Sequence, residues 1–380
     1  MIQKPRTTIG LLLLIALVIG ACQQATGQAT QIIEELLQQA EAGDAEAQNE
    51  LGRAYVKGEG VLKDFNQATH WYRKAAEQGH PEAQNWLGLA YFLGKGVLKD
   101  FNQATHWWRK AAELGDAKAQ FNIGIAYYDG EGVEQDFNQA THWFRKAAEQ
   151  GYASAQFNLG FSYANGIGVE QDTNQATHWY RKAAEQGDAK AQLELGRAYV
   201  NGEGVEQDTN QATHWYRKAA EQGDAKAQLE LGRAYVIGEG VEQDTNQATH
   251  WFRKAAEQGD ASAQFNLGFS YANGIGVLKD FTESAHWYRK AAKQGSALAQ
   301  FNLGVAYGEG IGVEQELTEA YAWFIIAKAN SGLAEGYTEA LEGLLSYIRN
   351  ELITPAQLEQ AQQRATELKE QIQANIAQRD

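Results

Sequence analysis

The chain has 380 residues, enough for two or three ordinary domains, yet its composition does not shift along its length. Glycine reaches 39 and tryptophan 10 while proline is only 3, so a helical reading needs an assigned place for every glycine. A formal net charge of −15 argues against a nucleic-acid binder, whose target phosphates demand a basic footprint, and leaves membrane attachment to something other than the folded surface.

Taken from its start, the chain opens with Lys4 and Arg6, then an apolar run of 11 residues from Ile9 to Ile19. That run is well short of the roughly 20 residues a permanent transmembrane helix needs. With the small residues Gly20 and Ala21 it reads as an export signal. Ile19-Gly20-Ala21-Cys22 resembles a bacterial lipobox, and Cys22 is the single cysteine of the chain. The resemblance implies that residues 1–21 are removed and that Cys22 is lipidated and becomes the first mature residue. Gln23 after it implies the outer membrane, with the protein facing the periplasm and touching the membrane through the lipid alone. Loss of Lys4 and Arg6 with the signal would change the charge from −15 to −17. Residues 22–30 form a polar tether that spans at most about 30 Å when extended. Residues 31–43 follow as an amino-terminal capping helix, with Ile33, Leu36 and Leu37 turned inward.

Residues 44–331 repeat. Trp71, Trp107, Trp143, Trp179, Trp215, Trp251, Trp287 and Trp323 are spaced by 36, and a tyrosine set from Tyr55 to Tyr307 keeps the same interval. In Asp188–Gly223, Ala191, Leu195 and Tyr199 mark one helical face. Ala212, Trp215, Tyr216, Ala219 and Ala220 mark a second. Gly187 closes the preceding helix, Asp188 caps the next, Gly202-Glu203-Gly204 breaks it, and Asp208 caps its partner. Val205 is expected in the core between the two helices. Gly196 recurs once per unit from Gly52 to Gly304. A mid-helix glycine costs about 1 kcal/mol against alanine, so its recurrence implies backbones that cross too closely for a side chain. The eight tryptophans are expected to be structural, each burying on the order of 150–250 Å². A two-helix unit cannot cover its own apolar flanks, so units must stack.

The pattern Ala-x-Ala-Gln-x-x-Leu-Gly-x-x-Tyr, then Gly-x-Gly-Val, then Ala-x-x-Trp-Tyr/Phe-x-Lys-Ala-Ala-x-x-Gly resembles the Sel1-like repeat, a relative of the tetratricopeptide repeat. The resemblance implies an all-α fold, a right-handed α/α superhelical solenoid of antiparallel helix pairs with one curved inner surface. It also implies a scaffold or adaptor role.

Beyond the repeats, residues 332–350 read as a degenerate helix with Ala340, Leu341, Leu344 and Leu345 apolar. Residues 354–380 read as a carboxyl-terminal capping helix, opened by Thr354, Pro355 and Gln357.

Chemistry is scarce. Seven of the eight histidines directly precede a repeat tryptophan, and copies one repeat apart are too distant to share a metal ion. The glutamates Glu194 and Glu230 are duplicated surface positions, the Gly-x-Gly loops lack a following Lys-Ser/Thr, and no Ser-x-x-Lys occurs. The reading is therefore of a protein without catalytic residues, metal or cofactor. Binding should lie where the copies differ while the frame stays fixed. On the first helices those positions include Arg53, Trp86, Leu89, Leu93, Phe161, Arg197, Arg233 and Phe269, with Trp86, Leu89 and Leu93 as the least expected apolar cluster. The expected partners are one or more envelope proteins. The alternative is a carbohydrate-binding or export module for peptidoglycan or exopolysaccharide.

Overall fold

The structure is a computed structural model that describes residues 31–330 and 335–377. The signal, Cys22 and the tether lie outside the described residues. The chain divides into two compact units, Met1–Ala183 and Ala184–Asp380, and all regular structure among the described residues is helical.

Each repeat is a helix pair whose ends are set by local chemistry. In the first, Asp44 accepts the Ala47 amide and starts helix Ala45–Lys57, and Gly58 ends it with φ +76°. Asp64 then accepts the Asn66 and Gln67 amides and starts Phe65–Glu77. The Asp64 amide donates back to the Tyr55 carbonyl, and the Gln78 amide group reaches Gln48 at the other end, so the two helices run antiparallel. The same capping recurs through most copies. Two first-helix exceptions are His80, whose Nδ1 accepts the Ala83 amide, and Tyr152, which makes no side-chain cap.

The mid-helix glycine meets both backbone and ring of the facing helix: a Cβ on Gly88, Gly160 or Gly196 would lie 3.0, 3.1 or 3.2 Å from the carbonyl oxygen of Ala104, Ala176 or Ala212, and closer still to an aromatic side chain. A Cβ built on Gly52 would sit 2.6 Å from the Tyr72 ring, and one on Gly88 would sit 2.6 Å from the Trp108 ring. Phe144, Tyr180, Phe252 and Phe324 lie flat over the glycines at the same register. The packing partner is the aromatic that follows each repeat tryptophan, and the missing side chain makes room for its ring face.

The tryptophans join neighbouring copies. Trp251 packs with Leu193, Tyr216 and Leu231 of the preceding helices in the second unit, and Trp143 packs with Trp108 and Ile123 in the first. Seven of the eight are buried and Trp107 is half-buried. Val205 is half-buried at the loop, and its counterpart Val133 packs against the core cluster of Ile123 and Trp143.

Polar ties also recur. The buried Gln48 amide donates to the Ala40 carbonyl at 2.9 Å, as Gln84 does to Ala76 and Gln228 to Ala220. Its oxygen accepts from Gln78, a link repeated by Gln150 to Gln120 and Gln258 to Gln228. Thr69 and Thr213 donate to the Lys95 and Glu239 carbonyls of the next copy's loop. Arg73 and Arg217 reach the hydroxyls of Tyr91 and Tyr235 across the same junctions.

Helical residues 31–41 occupy the place of a second helix. Leu36, Leu37 and Ala40 pack with Leu51 and Trp71, and Ala40 accepts the recurring glutamine bond. At the other end, helix Leu317–Ala329 is followed by Glu335–Tyr347, a π-helical turn Ile348–Leu352, and the long helix Pro355–Ala377. Ala365, Leu368 and Ile372 pack against Trp323 and Ile326, while Leu341, Leu345 and Ala361 pack against Tyr321 and Phe324. Thr354 and Gln357 exchange hydrogen bonds at the start of the last helix.

Candidate interaction grooves

The same shallow groove forms repeatedly. One wall comes from the exposed side of a first helix, and the other comes from the second helix of the copy before it. In the first unit, Trp86, Leu89 and Leu93 face Phe65, Thr69 and Tyr72 around a volume of about 120 Å³. In the second unit, Glu230, Arg233 and Ile237 face Thr209, Thr213 and Tyr216 around about 170 Å³. Asn302 and Val305 face Phe281, Ser284 and Tyr288 around about 360 Å³. Helix 31–41 completes a fourth copy of about 290 Å³, in which Ile32, Ile33 and Leu36 stand where a preceding second helix would, opposite Glu50, Arg53 and Lys57.

The second-helix walls carry Phe65 and Tyr72, Thr209 and Tyr216, and Phe281 and Tyr288, whereas the facing first-helix residues range from Trp86 and Leu89 through Glu230 and Arg233 to Asn302 and Val305. Trp86 stacks on Tyr72 with ring centroids 6.1 Å apart and an interplanar angle of 11°, and its Nε1 donates to Glu82. Leu93 is 48% exposed and Leu89 half-buried, so this groove is lined by apolar and aromatic surface. Arg53, Arg197 and Arg233 pair with Glu50, Glu194 and Glu230 one turn earlier at 2.7, 2.9 and 3.2 Å, so none is an unpaired cation. Phe161 and Phe269 are exposed at the register of Leu89, and Phe269 lines the groove that holds Asn302. Of the eight sequence-derived residues, only Trp86, Leu89 and Leu93 converge on one groove.

The second-helix wall is not legible in the sequence. Tyr72, Tyr216 and Tyr288 are buried aromatics whose faces cover the glycines and whose edges line the grooves. Burial raises all three phenols, Tyr288 to about 12. The Tyr72 hydroxyl is buried with no hydrogen-bond partner. The signal available in sequence is the aromatic residue after each repeat tryptophan (Tyr, Phe or, at 108, Trp), kept in step with the recurrent glycine.

The histidines before the tryptophans are exposed, and each ring meets its neighbouring indole edge-on, as His70 does Trp71 at 5.2 Å. Lys74 covers the same indole at 4.5 Å. Partial burial, then Lys74 and Arg73, hold His70 below the usual imidazole range. Among the described residues, no three His, Cys, Asp or Glu side chains are grouped to hold a metal ion, and no helix is long and apolar enough to cross a membrane.

The Sel1 repeat model matches residues 45–80, 81–116, 117–152, 153–188, 189–224, 225–260, 261–296 and 297–331. The crystal structure of a Sel1 repeat protein from Oxalobacter formigenes is 35% identical with a TM-score of 0.61, over 82% of this chain and 89% of that one. A protective antigen present in uropathogenic Escherichia coli strains is 32% identical with a TM-score of 0.54, over 91% and 96%. The secretory immunoglobulin A-binding protein EsiB of Escherichia coli is 49% identical over 43 residues, which are 11% of this chain and only 9% of that protein.

Proposed function

The chain belongs to the Sel1 repeat family, and from that membership we propose that it is a scaffold held at a bacterial envelope by lipidated Cys22, whose grooves bind partner proteins. Sel1 and tetratricopeptide-like repeat proteins are generally protein-interaction scaffolds and typically carry no catalytic site. One observation carries the reading to particular residues. A groove recurs at one register, and its first-helix wall ranges from Trp86 and Leu89 through Glu230 and Arg233 to Asn302 and Val305. Such variation gives several copies different surfaces without disturbing the fold.

The Trp86 groove is the strongest anchor point. It combines a large aromatic and two leucines, so it suits an apolar partner side chain. That one E. coli relative is named for binding an immunoglobulin supports a protein as the ligand class. The anchor rests on the lipobox at Ile19–Cys22, and the periplasmic face of an outer membrane rests on Gln23.

Crosslinking in cells followed by mass spectrometry tests the groove. A defined partner set should be captured, lost in Trp86→Ala and kept in His214→Ala, whose side chain lies outside the grooves. An identical set from Trp86→Ala would refute the assignment, and retention of the protein on peptidoglycan would move it to a carbohydrate role. Radiolabelled palmitate tests the anchor separately: label should be lost in Cys22→Ser.

A further inference from the structure

We infer that the carboxyl-terminal end of the second unit holds a binding site for a small anionic amphiphile. A cavity of about 740 Å³ opens between helix Leu317–Ala329, the turn at Arg349 and helix Pro355–Ala377. That is the size range of sites for compact organic ligands. Ile326, Leu345, Leu358 and Ile372 give it an apolar lining.

Two further features specify the ligand. The first is Gln300, fully buried and lining this cavity, whose Oε1 has no hydrogen-bond partner. In other copies that oxygen accepts from the glutamine at the end of the second helix, as from Gln222 to Gln192 and Gln258 to Gln228. Here Asn330 stands at that register, one methylene shorter, and donates to the Gly295 carbonyl. The acceptor that the chain elsewhere supplies with a donor is left without one, on a residue that lines the cavity. A buried acceptor without a donor costs about 1–3 kcal/mol, so a ligand hydroxyl or amide N–H would relieve a standing penalty.

The second feature is charge. The lining holds Lys328, Arg349 and Lys369 and no carboxylate, in a chain with 48 acidic against 33 basic residues. Glu342 neutralises Lys328, and Arg349 donates to the Tyr321 hydroxyl while keeping its charge. Lys369 is exposed and has no ion pair among the described residues. The ligand therefore carries an apolar chain, a hydrogen-bond donor and one anionic group.

N-Decanoylglycine combines the three, and calorimetric titration into the full chain tests the site. It should bind saturably with one-to-one stoichiometry, its methyl ester at least tenfold more weakly, and decyltrimethylammonium more weakly still. Lys369→Glu, at an exposed position, should lower affinity about fivefold with an unchanged melting temperature. Asn330→Gln should restore the chain's own donor to Gln300, raising the melting temperature while weakening the ligand. Absence of saturable binding, equal binding of the ester, or an Asn330→Gln affinity equal to that of the parent chain would overturn the proposal.

Discussion

Gln84 is the other glutamine of the recurring set whose oxygen has no partner. Its donor is missing because Leu114 stands where Gln78, Gln150 and Gln258 stand in other copies, and Leu114 is itself 57% exposed. Leu114→Gln should therefore fill a buried hydrogen bond and remove an exposed apolar side chain. The expected gain is about 1 kcal/mol in urea unfolding, and no gain would show that water already serves Gln84. Tyr72 presents the opposite balance. Its buried hydroxyl lacks a partner, and Phe144, Phe252 and Phe324 show that phenylalanine fits the same register. Tyr72→Phe should stabilise the free protein at neutral pH, because it removes a buried hydroxyl that has no partner. Burial first, with Glu82 and Glu50 adding and Arg53 opposing, raises the Tyr72 phenol above its ordinary value of 10.0. A group with a raised folded-state pKa contributes its full stability below the unfolded value and loses it as pH rises beyond. The parent chain should thus lose stability above pH about 10, and Tyr72→Phe should lose less, as read by melting temperature across that range.

At the scale of the helix, capping was the most legible feature. Asp44, Asp188 and Asp208 could be read as caps from residue type and spacing, and each accepts an amide from the first turn it precedes. Packing partners were less legible, because periodicity gives a residue's face and not what the face meets. The recurrent glycine was visible, but the ring that explains it lies on the other helix of the pair, 20 residues on between Gly196 and Tyr216. For the same reason the binding face was placed on the first helices alone. The second-helix wall at Tyr72 and the completion of the first groove by Ile32 and Leu36 emerge only once helices are docked. Two substitutions test the helix account. Gly196→Ala should gain about 1 kcal/mol in helix propensity but lose about 1–3 kcal/mol by pressing on the Tyr216 ring, for net destabilisation; a more stable variant would rule out the ring contact as the reason for the glycine. Glu316 precedes helix Leu317–Ala329 without making the side-chain cap that Asp64 and Asp244 make. Glu316→Asp should then supply one and raise stability by about 1 kcal/mol.

Across the whole molecule, one 36-residue design is reused with little adjustment: residues 188–223 and 224–259 differ only at Asn201/Ile237 and Tyr216/Phe252. Extensive packing joins elements that are neighbours or near neighbours in sequence, and Trp251 and Trp287 each reach residues of their own copy and of the copy before it. Stability in such an array is close to a sum of repeat and junction contributions, so a local defect need not melt the rest. Within the second unit, Trp251 packs with Leu231 of its own copy and ties that copy to Leu193 and Tyr216 of the one before. Trp251→Ala should cost about 3–5 kcal/mol at that junction. Hydrogen exchange followed by mass spectrometry should then show protection lost from Ala189–Asn201 through Thr245–Glu257, while helix Pro355–Ala377, sealed on Trp323 and Ile326, keeps its own. Equal loss over both segments would mean that the unit unfolds as one body and that its stability is not assembled junction by junction. Confined loss would instead explain how groove walls such as Trp86, Glu230 and Asn302 can diverge independently, since a change on one first helix is felt no further than the copies it touches.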